Sequence, residues 1–248
     1  MTLESILPTP DVFSAKTVLC VQPHYDDNDI AAGGTFALLK KAGAELIYLT
    51  VTDDLMGVVD RSLSAQQAAR ALERDQLAAG AVIGVDQQIA LGYPDAGAYD
   101  YFALRRDILK YIRMLKPDIV FAPDPWLTYE AHRDHIQTGL AVAEAAIFLG
   151  LLKIASSDPA VDAAYTGHAL RGVAFYYTRE PNQVIDVAPA WEAKVAALRC
   201  YQAQFDPPGL EELLFALDMK SRQAAEGEPF ERGEPLKVLH PAALHCGL

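Results

Sequence analysis

His24, Asp26 and Asp27 stand together in the run Pro23-His24-Tyr25-Asp26-Asp27, directly after an apolar stretch. A second run, His132-Arg133-Asp134-His135, follows another apolar stretch in the second half of the chain. Between them the two runs hold three of the six histidines. Neutral imidazoles and carboxylates in this combination supply what a catalytic zinc site with an open coordination position uses: three protein ligands, a water and a separate base. His132 and His135 are three residues apart, so on a helix they share a face. At a helix start the dipole disfavours positive charge, which keeps both rings in the neutral form that binds metal. A structural reading competes with this one. An aspartate at a strand-to-helix turn is commonly a cap, and His-Arg-Asp-His can be a polar surface turn. Neither run decides alone; their joint occurrence at two strand ends favours the metal.

The elements that must position these residues follow from the hydropathy pattern. Residues 17–22 (TVLCVQ) are short, apolar and β-branched and read as a buried strand, and 45–52 (ELIYLTVT) reads as the next. Helical spacing covers 30–42, ending at Gly43, and 64–81 with Ser64 as N-cap. A short strand at 88–91 leads into the turn Gly92-Tyr93-Pro94-Asp95-Ala96-Gly97; a helix at 101–115, a strand at 118–123 and a helix at 132–152 follow. Further on, 173–178 reads as a strand and 189–205 as a helix. Alternation of this kind predicts an α/β fold: a Rossmann-like parallel sheet with helices on both faces, in one domain. The core spans about residues 15–205, and 206–248, rich in Pro, Gly and charge, reads as an irregular C-terminal extension that wraps the domain or forms an edge. In such sheets ligands sit beyond the carboxyl ends of the strands, near the point where strand order reverses. Both polar runs fall at strand ends.

Composition narrows the partners. The chain has 248 residues, 51% hydrophobic and 22% charged, enough to bury a core. Its net charge of −12 argues against a nucleic-acid partner and gives no support to an anionic membrane surface. No apolar run reaches membrane-spanning length; the richest, 140–154, contains Glu144 and Lys153. Cys20, Cys200 and Cys246 are odd in number and widely spaced, which excludes a Cys-x-x-Cys zinc site and fits a reducing, cytoplasmic setting. A homo-oligomer is left open.

The two runs, with the segments between them, resemble the PIG-L/LmbE-like family of zinc-dependent N-acetylglucosaminyl deacetylases. The family's Ala-His-Pro-Asp-Asp-Glu and Gly-Gly-Thr are met by Pro23-His24-Tyr25-Asp26-Asp27-Asn28 and Gly33-Gly34-Thr35, and its His-Pro-Asp-His by His132-Arg133-Asp134-His135. Thr50-Val51-Thr52-Asp53, Leu91-Gly92-Tyr93-Pro94-Asp95, Asp186 and the stretch from Lys194 to Gln204 are also similar. The resemblance implies Zn2+ held by His24, Asp27 and His135. It implies Asp26 as general base, His132 as the group that stabilises the oxyanion or protonates the leaving amine, and Asp134 as the carboxylate that orients His132. Asp95 matches a position near the sugar.

Two of the departures inside the first motif bear on the chemistry. Tyr25 replaces a proline and adds a bulky side chain near the site, a candidate substrate contact; Asn28 replaces a glutamate and removes a negative charge beside the metal. The expected activity is removal of an N-acetyl group from an amino sugar or its glycoside by hydrolysis of a linear amide bond. Two rivals remain: a zinc amidase on a non-sugar N-acyl substrate, motivated by Tyr25 and Asn28, and a non-catalytic metabolite-binding α/β module. The second rival lacks the glycine-rich phosphate loop such modules use.

Overall fold

The computed structural model describes residues 7–97 and 99–245. The order along the chain is β1 (Thr17–Gln22), α1 (Asp27–Lys41), β2 (Glu45–Thr52), α2 (Ala65–Ile83), β3 (Gln87–Tyr93), α3 (Tyr101–Leu115), β4 (Ile119–Pro123), α4 (Arg133–Phe148), α5 (Pro159–Ala164), β5 (Gly172–Tyr176), β6 (Gln183–Asp186), α6 (Trp191–Leu198), α7 (Pro207–Ala224) and β7 (Gly233–Leu239). The sheet runs β3-β2-β1-β4-β5-β7-β6. Strands β1 to β5 are parallel, and β7 is antiparallel to both β5 and β6. Order reverses between β1 and β4, so their carboxyl ends flank the crevice where ligands bind in open α/β sheets.

Side chains alternate across β1 as a strand requires. Val18 and Cys20 enter one core with Phe36, Leu39, Leu72, Leu198 and Leu214, on the side of α1, α2, α6 and α7. Leu19 and Val21 enter the other with Ile108, Leu109, Val142 and Phe175, on the side of α3 and α4. Burial on both faces explains why β1 and β2 read as continuous apolar runs.

The predicted sheet carries two refinements. Its far edge is antiparallel, and the C-terminal extension is not irregular. It forms the helix α7 and the strand β7, which enters the sheet between β5 and β6. The density of Pro, Gly and charge there reflects caps and turns: Asp206 caps α7, with Pro207 at its first position.

Two close approaches fix the helices that carry the polar runs. A Cβ at Gly139 would collide with the Pro123 carbonyl, so α4 lies directly against the end of β4. A Cβ at Gly34 would sit 2.7 Å from Val187 Cβ, which assigns the Gly33-Gly34 pair to packing. Helix α1 is broken at Ala32 (φ −141°, ψ 21°). Glu234 of β7 accepts from Gly34 N (3.1 Å), Thr35 N (2.7 Å) and Thr35 Oγ1 (2.6 Å), capping the second half of α1 from across the sheet. Lys194 Nζ closes this cluster at 2.5 Å from Glu234 Oε1. The first turn of α1, with Asp27, is thereby a separately held unit.

Candidate active site

The loop after β1 and the start of α4 meet. His24 Nδ1 lies 3.0 Å from Asp27 Oδ2, and His135 Nε2 lies 3.4 Å from Asp27 Oδ1. One donor atom from each of His24, Asp27 and His135 lies within 4.8 Å of the others. Zn–N and Zn–O bonds of about 2.0–2.1 Å in a tetrahedron set donors about 3.4 Å apart, so this donor set fits zinc in chemistry and spacing.

The capping alternative fails on geometry. Asp26 occupies the N-cap position of α1 and His132 that of α4, yet neither side chain caps its helix. Asp27 Oδ2 instead accepts from His24 N at 3.0 Å, which ties the His-x-x-Asp run into one local loop. Gln204 lines the same cleft as Asp26.

Asp26, Asp27, His24, Asp95 and His132 line a cleft of about 350 Å³ together with Asp54 and Gln204. His135 also lines a neighbouring cavity of about 420 Å³ with Tyr177, Glu130 and Arg179. Burial and the charge of Asp27 push the Asp26 carboxyl up to about 7. Asp27 moves the other way: burial opposes its ionisation, but His135 and His24 override it and hold the carboxyl below its ordinary value. Burial pulls the His24 imidazole down, and the facing carboxylates of Asp134, Asp27 and Asp95 outweigh it, raising that ring well above the usual histidine range. His132 is lowered by burial and by the neighbouring His24 and His135. It therefore stays neutral, as expected at a helix start. Asp95 falls to about 2, chiefly through the His24 imidazole that faces it.

Asp134 faces two rings. Its Oδ2 is 3.8 Å from His132 Nδ1 and 3.5 Å from His24 Nε2, while Tyr99 OH and Ala96 N donate to its two oxygens. Asp95 Oδ2 accepts from Met56 N at 3.0 Å, and its Oδ1 faces His24 Nε2 at 3.4 Å.

Both of these departures from the family motif turn away from the cleft. The Tyr25 ring belongs to the core on the α1 side, and only its backbone N–H reaches the site, donating to Asp54 Oδ2 at 3.1 Å. Asn28 is buried, its Nδ2 donating to Cys20 O and its N–H accepted by Gln22 Oε1. Asn28 is thus held against the end of β1 and is not among the residues lining the cleft. Asp29 points into the same core, accepting from Tyr48 OH (2.7 Å) and Tyr201 OH (2.6 Å). The side-chain argument for a non-sugar amidase loses its footing here.

Sequence reasoning missed four residues of the site. Asp54 is buried beside Asp26, at a left-handed φ of 54°. Tyr177 stacks on His135 (5.8 Å, 21°) and its hydroxyl lies 3.4 Å from Asp27 Oδ1. Glu130 Oε1 accepts from His132 N at 2.7 Å and its Oε2 lies 3.8 Å from His135 Nδ1. Gln204, part of the similar stretch, lines the cleft with Asp26. Asp54 and Tyr177 stand just past the ends of β2 and β5, the signal that could have found them; Glu130 and Gln204 carry no such signal. Among the exposed and half-buried aromatics, Tyr99 holds Asp134, Trp126 packs edge-on to Phe175, and Tyr129 is fully solvent-facing.

The profile of the PIG-L family, described as GlcNAc-PI de-N-acetylase, matches residues 19–146, which contain both polar runs. The chain belongs to the PIG-L family. It is 36% identical over 228 residues to the diacetylchitobiose deacetylase of Thermococcus kodakarensis, covering 88% of this chain and 84% of that one. Among solved structures, the N,N'-diacetylchitobiose deacetylase from Pyrococcus horikoshii, complexed with its inhibitor MPG, superposes with a TM-score of 0.84 at 33% identity over 94% of this chain and 86% of that one. GalB, a 4-carboxy-2-hydroxymuconate hydratase from a Pseudomonas, shares the fold at a TM-score of 0.67 and 18% identity, covering 90% of this chain and 95% of that one. The fold thus hosts more than one reaction, and the site must argue the chemistry. Membership of a family of named deacetylases removes the non-catalytic binding module. Among the described residues no helix is long and apolar enough to cross a membrane.

Proposed function

We propose that this member of the PIG-L family is a zinc-dependent hydrolase that removes acetate from an N-acetylated amino sugar or its glycoside. The observation that carries the reading is the convergence of His24, Asp27 and His135 from two distant segments onto one donor cluster. The similarity to diacetylchitobiose deacetylases supports the substrate class.

His24, Asp27 and His135 would hold the zinc. When bound, the metal polarises the acetyl carbonyl and acidifies the attacking water. Asp26 takes the proton of that water; it lies beside Asp27 in the cleft without engaging either imidazole of the donor set, and a base near 7 suits the task. His132, at the mouth of the cleft, donates a hydrogen bond to the developing oxyanion, and the proton taken up by Asp26 returns to the departing amine, directly or relayed through His132. Asp134 orients His132 and, through its second approach, the outer nitrogen of His24. Asp95 receives a hydroxyl of the sugar. Tyr25 contributes through its backbone grip on Asp54, not through its ring. Cys20 and Cys200 are free thiols, in keeping with a reducing compartment; Cys246 lies outside the described residues.

The test is metal analysis with acetate release from diacetylchitobiose and N-acetylglucosamine, on wild type and Asp26→Ala. The variant is expected to keep its zinc and lose turnover by about a hundredfold or more. Wild-type turnover in Asp26→Ala removes Asp26 from the mechanism, and acetate release with no bound metal removes the zinc.

A further inference from the structure

His24 has two faces. Nδ1 is turned to Asp27, whereas Nε2 has no hydrogen-bond partner although the side chain is only 9% exposed. What faces Nε2 is a second set of donors: Asp95 Oδ1 at 3.4 Å and Asp134 Oδ2 at 3.5 Å, with His132 Nδ1 at 3.8 Å from the same Asp134 oxygen. The donor atoms of His24, Asp95, His132 and Asp134 lie within 4.8 Å of one another. These separations exceed ordinary hydrogen bonds and approach the donor–donor spacing of about 3.4 Å in a tetrahedral zinc shell.

The set is also held in place from behind. Asp134 Oδ1 accepts from Tyr99 OH (3.0 Å), Asp95 Oδ2 from Met56 N (3.0 Å), and Ala96 N donates to Asp95 Oδ1 (2.6 Å) and Asp134 Oδ2 (3.0 Å). Such outer contacts orient ligands at metal sites. His132 is 48% exposed, so the set is reachable from solvent. Two carboxylates match a dication, and imidazole with carboxylate is a zinc-type donor set.

We propose that Asp95, His132 and Asp134, with Nε2 of His24, form a second, weaker zinc site beside the first. The proposal rests on the reading of His24, Asp27 and His135 as the first site. It is the weaker site because the two dications repel. The consequence is regulatory. A second ion withdraws His132 and Asp134 from the reaction and Asp95 from the sugar, so one equivalent of zinc supports turnover and excess zinc suppresses it.

The experiment is equilibrium dialysis of metal-stripped protein against zinc chloride, with metal counted per chain, for wild type, His132→Gln and Asp95→Asn. Wild type should bind two ions in separated steps. Each variant should keep the first step and weaken the second by at least about a hundredfold; the retained first step shows that the variant is folded. One ion in wild type at saturation overturns the proposal and leaves the first site standing. A second ion that persists in both variants lies elsewhere and also overturns it. No bound ion at all is the failure of the first-site reading itself.

Discussion

Replacing Glu234 by glutamine tests how the C-terminal strand governs the turn that carries Asp27. Glu234 and Lys194 are 4% and 3% exposed and their charged atoms lie 2.5 Å apart. Breaking a buried pair costs about 3–5 kcal/mol, because the surviving charge stays buried. Glutamine keeps one acceptor oxygen where the Gly34 and Thr35 amides use two, whereas Asp29 lies close enough to Lys194 to offset part of the stranded charge. The two effects oppose each other and leave about 4 kcal/mol. In a chain of this size that is a fall of about 8–16 °C in Tm. Glu234→Leu also strands two buried amides and the Thr35 hydroxyl, so it should exceed about 5 kcal/mol. The double variant Lys194→Met/Glu234→Gln removes the stranded ammonium and should recover a large share of the loss. Urea unfolding followed by circular dichroism, with zinc chelated so that metal linkage does not contribute, measures all of these. A cost below about 1 kcal/mol for Glu234→Gln, or strict additivity in the double variant, would refute the reasoning.

Further outcomes follow from other contacts. Glu130→Gln, which removes the carboxylate facing the outer nitrogen of His135, should weaken zinc binding by about 10–100-fold in chelator competition, with no change in fold by circular dichroism. Unaltered affinity would dismiss Glu130 as an orienting group. Asp162 contacts the buried Arg113 at 2.6 Å; burial opposes its ionisation, but Ser156 and Arg113 hold its carboxyl below the ordinary value. A depressed folded pKa stabilises above the unfolded pKa of about 3.9 and is lost as pH falls through the folded value. Asp162→Asn should therefore cost about 2 kcal/mol at pH 7, less than a fully buried pair because Asp162 is partly exposed, and the gap to wild type should close below about pH 4. A gap as large at pH 3 as at pH 7 contradicts the assignment. Gly34→Ala should cost about 1–3 kcal/mol through the clash with Val187; a neutral substitution would mean that α1 shifts freely.

The parallel half of the fold was legible because its signals are local. β1 and β2 lie where uninterrupted apolar runs place them, and the helix after Ser64 begins at a capping box of Ser64 and Gln67 and ends at Gly84. The meeting of His24 with His135 was legible from strand-end placement plus the reversal of strand order. What could not be read depends on long-range partners. The grip of Glu234 on Gly34 spans 200 positions and has no local pattern. The helix predicted over 189–205 stops at Leu198, and Tyr201 instead turns its hydroxyl inward to Asp29. Helix α1 starts at Asp27, three residues before its apolar spacing begins, because its first turn is built from buried polar residues. The directions of Tyr25, Asn28 and Asp29 follow from that same turn, which the sequence shows only as a string of like residues.

The most direct measurement is an anomalous difference map at the zinc edge, from crystals of the protein loaded with one equivalent of zinc. The account predicts a single dominant peak within about 2.0–2.3 Å of His24 Nδ1, a carboxylate oxygen of Asp27 and His135 Nε2. A dominant peak away from Asp27 and His135, or none in protein that still releases acetate, would contradict it.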